Sequence, residues 1–588
     1  MEDESLQSAF GLFAIDVDLE DAELVAKMRE VCLDRGWDAE SLAEAWVAHW
    51  RTEEARSSLS INGLHALSKA MEPKTGARSA TVAQDRLETE ALEAVDSAAE
   101  VLALYAAEQL PSVPRVSVKT AGLKYASAAA FSPIPNSPAG KNYAGRRNAG
   151  VVLASLGEVE ASKAWPLSTQ LLHLRYSPLF TPLREPRPFI FQKMADMADV
   201  LADRMSEETQ RLVAASGLEE ELLPVCKPSQ DSCHIAGSVV ALDASGKLSG
   251  EAGLGLEGDL ELSHGRSVPV DTRLLPSFSF YPGQVTLLRG RNPTGRLFLA
   301  EEQLPSKPGP LAALGPRPEG LDELSLVFAA GPYTTLEAWD FQPLYDLLAQ
   351  VAQRPPHLLV LAGPFLDAAD ARVAAAPADL VQLFHSLLRR IAEMVEKLPT
   401  RVVLVRSSHR EAAFDLPFPS WPYAPEAEGE QFQLPSNMEF VSDPSLFQVA
   451  GVTFGLVATD ILKHLLASEI GTSGSLGEES RLNRMVKQML LARSFYPLYP
   501  AAEGVNAELA WLQSHAALPI RPHILLLPSD MRQFISVVDG VVVLASGRLV
   551  QGSSGGAYAR AVVKLAGLPP PGAAMSIQKF ARAQIIRI

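Results

Sequence analysis

The sequence predicts a multidomain α+β protein, and three observations carry that expectation. The chain has 588 residues, too many for one hydrophobic core, so several domains are expected. Around residues 234–300 apolar residues recur with period two, as in strands buried on one face. From about residue 322, short apolar runs alternate with segments of helical period, the pattern of a sheet with helices on its faces.

Composition bounds the function. Hydrophobic residues make up 47% and charged residues 21%, which suits a globular protein. The formal net charge is −17. Such a chain repels phosphate backbones, so dominant nucleic-acid binding is disfavoured and a protein partner is expected. No apolar run reaches the roughly 18 residues that span a bilayer, so no membrane partner is expected. The start, MEDESLQSAF, lacks the basic end and apolar stretch of a secretory signal. Cys32, Cys226 and Cys233 cannot build a disulfide framework, and a reducing compartment is expected.

Residues 1–72 read as a helical docking domain, with Leu24, Val25, Met28, Val31 and Cys32 at helical spacing. Gly36 ends that helix, and Ser41-Leu-Ala-Glu44 has capping-box spacing before Leu42, Trp46 and Trp50. Residues 73–184 are rich in Ala, Ser, Thr and Pro and are expected to be mostly a flexible linker, with one helix near Leu87–Leu110. Its Ser132-Pro133 and Ser137-Pro138 are candidate phosphorylation sites.

Residues 185–312 are expected to hold a helix over 188–216, with Phe191, Met194, Ala198, Leu201, Met205 and Leu212 near one face. Five strands follow, near 234–242, 253–262, 268–272, 284–290 and 296–300. Five short strands in so short a span suggest an OB-fold barrel. Residues 313–588 read as an α/β domain, with strands at 324–330, 358–362, 402–405, 438–441, 452–457, 524–527 and 541–544 and helices at 344–351, 380–398, 460–467 and 481–492.

The common catalytic motifs fail one by one. Gly290-Arg-Asn-Pro-Thr-Gly295 has P-loop glycine spacing but no following Lys-Ser/Thr, so it reads as a hairpin turn. Cys226, Cys233 and His234 lack a second ligand pair for zinc. Asp460 and His464 share a helix face without an evident third ligand, and no Gly-x-Ser-x-Gly elbow occurs.

The strand ends of the α/β domain invite comparison with dinuclear phosphoesterases, whose carboxylates and imidazoles sit at such ends to hold two metals. The first strand ends in Gly331-Pro332-Tyr333, with neither Asp nor His. The second ends in Gly363-Pro364, with proline where a metal-bridging Asp is needed and Asp367 beyond it. The third leads to His409 without an Asn, the fourth to Asp530 without a His, and the fifth to Arg548 and Leu549 in place of ligands. Only Asp367 and His409 remain, too few for two ions, so a metal-free calcineurin-like phosphoesterase domain without a cofactor is expected.

An OB-fold before such a domain resembles the B subunits of eukaryotic replicative DNA polymerases, above all those of DNA polymerase alpha. The segments that carry the resemblance are Gly283 to Arg296, LVLAGPFLDA, FVSDPSLFQVAGVTFGLVATDILKHL, RSFYPLYP, LLLPSDMRQF and GRLVQGSSGGAYAR. The resemblance covers about residues 185–565. It implies a nuclear, non-catalytic scaffold that binds the C-terminal domain of the polymerase alpha catalytic subunit within the complex with primase. It further implies that the N-terminal helical domain recruits replication factors and that DNA is contacted weakly or indirectly. Arg493, Phe495, Tyr496, Pro497 and Tyr499 are expected to line the partner interface, since rigid aromatics suit hot spots. Two rivals stay open. One is an active phosphoesterase with an unusual ligand set. The other is a single-strand binder using Arg289, Arg291, Arg296, Phe280 and Phe298, opposed by Glu257, Asp259 and Glu261.

Overall fold

The computed structural model describes Leu24, Val25, Met28, Cys32 and Leu42, and residues 143–588 apart from 158–164, 244–247, 249–252, 338–339, 375–378, 425–432 and 472–479. The chain divides into two units, residues 1–121 and 122–588. In the first, the five described residues are helical and buried. Trp46, Trp50, the helix expected at 87–110, Ser132 and Ser137 lie outside the described residues.

In the second unit, the end of the expected linker is folded. β1 (Val152–Leu156) pairs antiparallel with Ala581–Arg587, and β2 (Leu174–Tyr176) with Ser445–Val449. Both are edge strands and neither is fully buried on one face, so no clean apolar alternation announced them. The long helix α1 (Met194–Ser216) ends at Gly217, which is left-handed and donates to the Val213 carbonyl. It buries Met205 and Leu212 as expected. Phe191 and Met194, placed on the same face from spacing, are instead 80% and 82% exposed. The helix begins only at Met194, so the helical period does not extend back to Phe191.

The next strands are β3 (Ser229–Ala241), β4 (Leu254–Glu257), β5 (Ser267–Asp271), β6 (Ser279–Phe280), β7 (Val285–Asn292) and β8 (Phe298–Gln303). Five of them close a barrel in the order β3-β4-β5-β8-β7, the closure of an OB-fold. Ile235, Val239, Leu256, Val268, Leu288 and Phe298 fill it. β4 is shorter than the expected 253–262, because the Asp259 carboxylate accepts from the Leu262 and Ser263 amides and turns the chain. The glycine pair Gly290 and Gly295 belongs to the β7–β8 hairpin, not to a phosphate loop.

The remaining chain forms two sheets. It runs β9 (Glu323–Ala330), α2 (Gln342–Gln353), β10 (Leu358–Ala362), α3 (Leu380–Val395), β11 (Arg401–Val405), β12 (Met438–Phe440), β13 (Ser445–Val449), β14 (Val452–Leu456), α4 (Ile461–Ser468), β15 (Ile470–Gly471), α5 (Arg481–Leu491) and α6 (Leu509–His515). It ends with β16 (Ile524–Leu526), β17 (Phe534–Val538), β18 (Val541–Ala545), β19 (Val550–Gln551), β20 (Ser554–Gly555), β21 (Ala557–Lys564) and β22 (Ala581–Arg587). One sheet has the order β1-β22-β21-β9-β10-β11-β12 and the other β17-β18-β16-β14-β13-β2. They face each other across Phe328, Val360, Val403, Phe447, Phe454 and Leu544. Helices α2 and α3 cover the outer face of the first sheet, and α4, α5 and α6 that of the second. Burial on both faces explains why Leu358–Ala362 is apolar without interruption.

The barrel and the double sheet are joined. β6 pairs with β15, and the Ser279 hydroxyl donates to Glu469 at 2.6 Å. Glu469 also binds Arg481 and Arg484, at 2.8 and 2.7 Å.

Candidate functional site

β9, β10 and β11 are parallel neighbours, as are β14, β16 and β18. The loops after their carboxyl ends meet at one edge of the double sheet, the place where open α/β sheets receive ligands. There they form a cleft of about 560 Å³ whose lining includes Pro332, Asp367, Arg410, Asp530, Arg532 and Arg548.

Opposite charges consume one another in this cleft. Arg548 Nε lies 2.8 Å from Asp530 Oδ1, its Nη1 is 3.2 Å from the Gly331 carbonyl and its Nη2 is 3.7 Å from Asp460. Arg410 reaches Asp530 at 3.1 Å and binds both oxygens of Asp367. Lys463 Nζ adds a third cation, 2.8 Å from Asp530. Asp460 caps α4 by accepting from the Lys463 amide and also accepts from the Asp530 amide at 2.6 Å. Three cations thus face three carboxylates. Burial would raise the Asp530 carboxyl, but Arg548, Arg410 and Lys463 hold it well below the usual range. Burial raises the Asp460 carboxyl, and Arg548 opposes the rise.

The donor set does not fit the two metals of a working phosphoesterase. A guanidinium has donors but no lone pair to offer, and two of them fill the space between the carboxylates. Among the described residues, no group of three or more His, Cys, Asp or Glu side chains is placed to hold a metal.

Of the positions singled out from sequence, Pro332, Asp367 and Arg548 come together in the cleft. Asp367 is a hydrogen-bond acceptor and ion-pair partner. Pro364 is buried, and its carbonyl leaves no room for a Cβ on Gly331, which would stand 1.9 Å away. His409 does not line the cleft. Its Nδ1 lies 3.0 Å from the Gly504 carbonyl and its ring meets His464 edge to face at 5.4 Å. His464 is lowered to about 4 by burial and by the neighbouring His409 and Lys463. Its Nδ1 lies 3.1 Å from the Tyr496 hydroxyl.

Sequence reasoning missed Arg410, Lys463 and Glu411 as parts of the site and read Asp530 only as a strand end without a His. Lysines and arginines carry no metal-binding signature, so only proximity in the fold reveals them. The Glu411 carboxylate accepts from the Phe365 and Leu366 amides, each at 2.8 Å, and ties the loop after β10 to the loop after β11. Complete burial raises it to about 7 despite those two bonds.

Three of the expected docking anchors, Phe495, Tyr496 and Pro497, are buried inside the chain and face no partner. Phe495 and Tyr496 are 0% and 1% exposed, and Pro497 is buried with them. Phe495 packs in the core beneath α4 and α5, and Tyr496 packs on Phe418. Arg493 and Tyr499 are half-buried. The Tyr499 amide donates to the Pro282 carbonyl at 3.1 Å. Gly283, with φ +80°, faces Tyr499 so closely that a Cβ would lie 2.6 Å from the tyrosine Cβ. Arg204 of α1 donates to the Pro497 and Gly283 carbonyls, at 2.8 and 3.1 Å. The segment is therefore an internal clamp between barrel, α1 and double sheet. Its aromatics read as interface anchors because they do anchor an interface, one inside the chain.

Of the five residues expected to serve single strands, the barrel leaves Arg296 exposed and buries or pairs the other four. Phe280 and Phe298 are buried in its core and cannot stack on bases. Arg289 pairs with Glu302 at 3.4 Å and Arg291 with Glu301 at 3.0 Å.

Fold and site together define a phosphoesterase-like double sheet, joined to an OB barrel, whose ligand positions hold ion pairs. Three known families match successive parts of the chain. The B subunits of DNA polymerases alpha and epsilon match residues 326–536. The OB domain of the DNA polymerase alpha B subunit matches residues 198–306, and the N-terminal region of the same B subunit matches residues 4–73. The chain is 30% identical to the DNA polymerase alpha B subunit of Rattus norvegicus over 432 residues, 72% of this chain and 70% of the relative. It is 31% identical to that of Bos taurus, over 70% of this chain and 67% of the relative. For Saccharomyces cerevisiae the identity is 23%, over 63% and 60%. The chain belongs to the family of DNA polymerase alpha B subunits.

Proposed function

We propose that this protein is a nuclear, non-catalytic scaffold subunit of the DNA polymerase alpha–primase complex. It binds the C-terminal domain of the catalytic subunit and couples primer synthesis to the replication machinery. The observation that carries the non-catalytic reading is Arg548, whose guanidinium stands among Asp460 and Asp530 where a metal would need lone pairs. A site neutralised by its own side chains needs neither metal nor cofactor and has no activated water to offer.

A second feature supports the docking role. A groove of about 440 Å³, mostly apolar, runs between α1, the barrel and Tyr499-Pro500, with Leu260 58% exposed at its edge. The rigid junction of barrel and double sheet suits a platform that holds one partner in fixed orientation. In this reading, residues 1–72 recruit replication factors, and Ser132 and Ser137 take phosphate.

Co-expression with the C-terminal domain of the catalytic subunit tests the reading. The two should elute as one complex in gel filtration at micromolar concentration. Separate elution refutes it.

A further inference from the structure

An exposed apolar patch sits where α1 begins. Ile190, Phe191 and Met194 are 71%, 80% and 82% exposed. Isolated exposed apolar residues need no explanation, but a contiguous set beside a groove marks an interaction surface. The groove here, about 260 Å³, lies between α1 and α6, with walls from Phe191, Met197, Val200 and Trp511.

The patch is held, not frayed. The carboxylate of Glu508, itself 5% exposed, accepts from the Ile190 amide and the Gln192 side chain. Ile190 adopts φ +64°, a left-handed conformation that β-branched residues rarely take. Strain of this kind gathers at ligand clamps, and here it presents Phe191 outward.

Charge identifies the occupant. Asp196, Asp199, Asp203 and Glu207 are all exposed and recur every three or four residues, forming one acidic stripe along α1 beside the groove. Inside α1, Arg204 is spent on the Gly283 and Pro497 carbonyls and Arg211 on Glu208 and the Leu491 carbonyl, while Lys193, exposed at the N-cap, is outnumbered by the four exposed carboxylates. Nucleic acid would be repelled, and a second copy would set stripe against stripe. The geometry points to a basic amphipathic helix of a partner protein, its apolar face seated on Phe191, Val200 and Trp511 and its Lys/Arg face against the acidic stripe. This is the helix-in-groove mode of recognition. It goes beyond the scaffold reading and uses residues of α1 other than those lining the barrel groove.

The test uses the full chain and a fluorescein-labelled helical peptide of leucine and lysine, with a leucine–glutamate peptide of the same pattern as control. Fluorescence anisotropy should show micromolar binding of the lysine peptide and none of the glutamate one. Phe191→Glu with Trp511→Ala should weaken binding about tenfold or more, as loss of central anchors does. Asp199→Lys with Asp203→Lys should weaken it comparably, while Glu219→Lys with Glu221→Lys, an equal change of net charge, should leave it within about twofold. Circular dichroism checks folding, and Phe191→Ser replaces the double variant if that fails to fold. Equal weakening by both charge reversals would overturn the proposal, as would indifference to every Phe191 variant. A dimer in sedimentation velocity that Phe191→Glu dissolves would also overturn it, in favour of a second copy. Failure here leaves the polymerase-scaffold reading untouched, since co-purification with the catalytic subunit tests that separately.

Discussion

Arg548→Ala probes the ion-paired cleft directly. The substitution removes the 2.8 Å contact with Asp530, the 3.7 Å contact with Asp460 and the bond to the Gly331 carbonyl. Both Arg548 and Asp460 have side chains only 5% exposed, so Asp460 is left as a buried carboxylate that has lost its ion-pair partner. Breaking a buried pair by removing one partner costs about 3–5 kcal/mol. Arg410 and Lys463 still neutralise Asp530, which is 29% exposed, so a loss of about 2–4 kcal/mol is expected. For a domain of this size that lowers Tm by roughly 3–7 °C. The pH dependence carries the sign. Asp530 is held low in the folded chain, so its contribution is present above the unfolded carboxylate pKa and lost as pH falls below it. The penalty of Arg548→Ala should therefore be large near neutral pH and shrink on acidification, as Asp460 and Asp530 take up protons. Urea unfolding of both chains across pH reads this out. A penalty under about 1 kcal/mol, constant with pH, would refute the claim that these pairs hold the site.

Other consequences follow from the same geometry. Glu411 and Asp443 are both buried and raised, to about 7 and about 6. The folded chain therefore binds their protons more tightly than the unfolded one. Their contribution is fully present below the unfolded pKa and falls as pH rises through about 6 and 7, by about 3 kcal/mol each. The urea midpoint should decline over that window, and Glu411→Gln should flatten the upper part. Phe495→Ala should cost about 3–5 kcal/mol of stability, measured in urea, because it opens a core cavity. A folded variant of unchanged stability would contradict its burial. Arg289→Ala with Arg291→Ala should leave oligonucleotide affinity unchanged in anisotropy at low salt, since both arginines are already paired.

The parts of the fold built from local pattern were legible in sequence. Leu358–Ala362, fully buried, and the amphipathic α3 and α5 carry their own period. β21 and β22 escaped because arginines interrupt them, as in AYARAVVK and ARAQIIR, and, besides pairing with each other, each depends on a distant strand, β9 or β1. β1 and β2 escaped for the related reason that edge strands depend on a sheet laid down elsewhere. The loss of metal ligands at Pro332, Pro364 and Arg548 was readable position by position. What replaced them was not, because Arg410, Lys463 and Asp530 come from the loop after β11, helix α4 and the loop after β16, three places far apart in the chain. Phe495 and Tyr496 show the opposite limit. Their composition marked an interface correctly but could not say whether the other side was a partner or the same chain.

The central claim is that the cleft at the strand ends is held by its own ion pairs and takes no metal. Elemental analysis of the full chain, after dialysis against manganese and removal of excess, tests it most directly. The account predicts only substoichiometric metal and no hydrolysis of a phosphodiester substrate. One or two tightly held ions per chain, lost together with hydrolytic activity on substitution of Asp367 or Asp530, would contradict it.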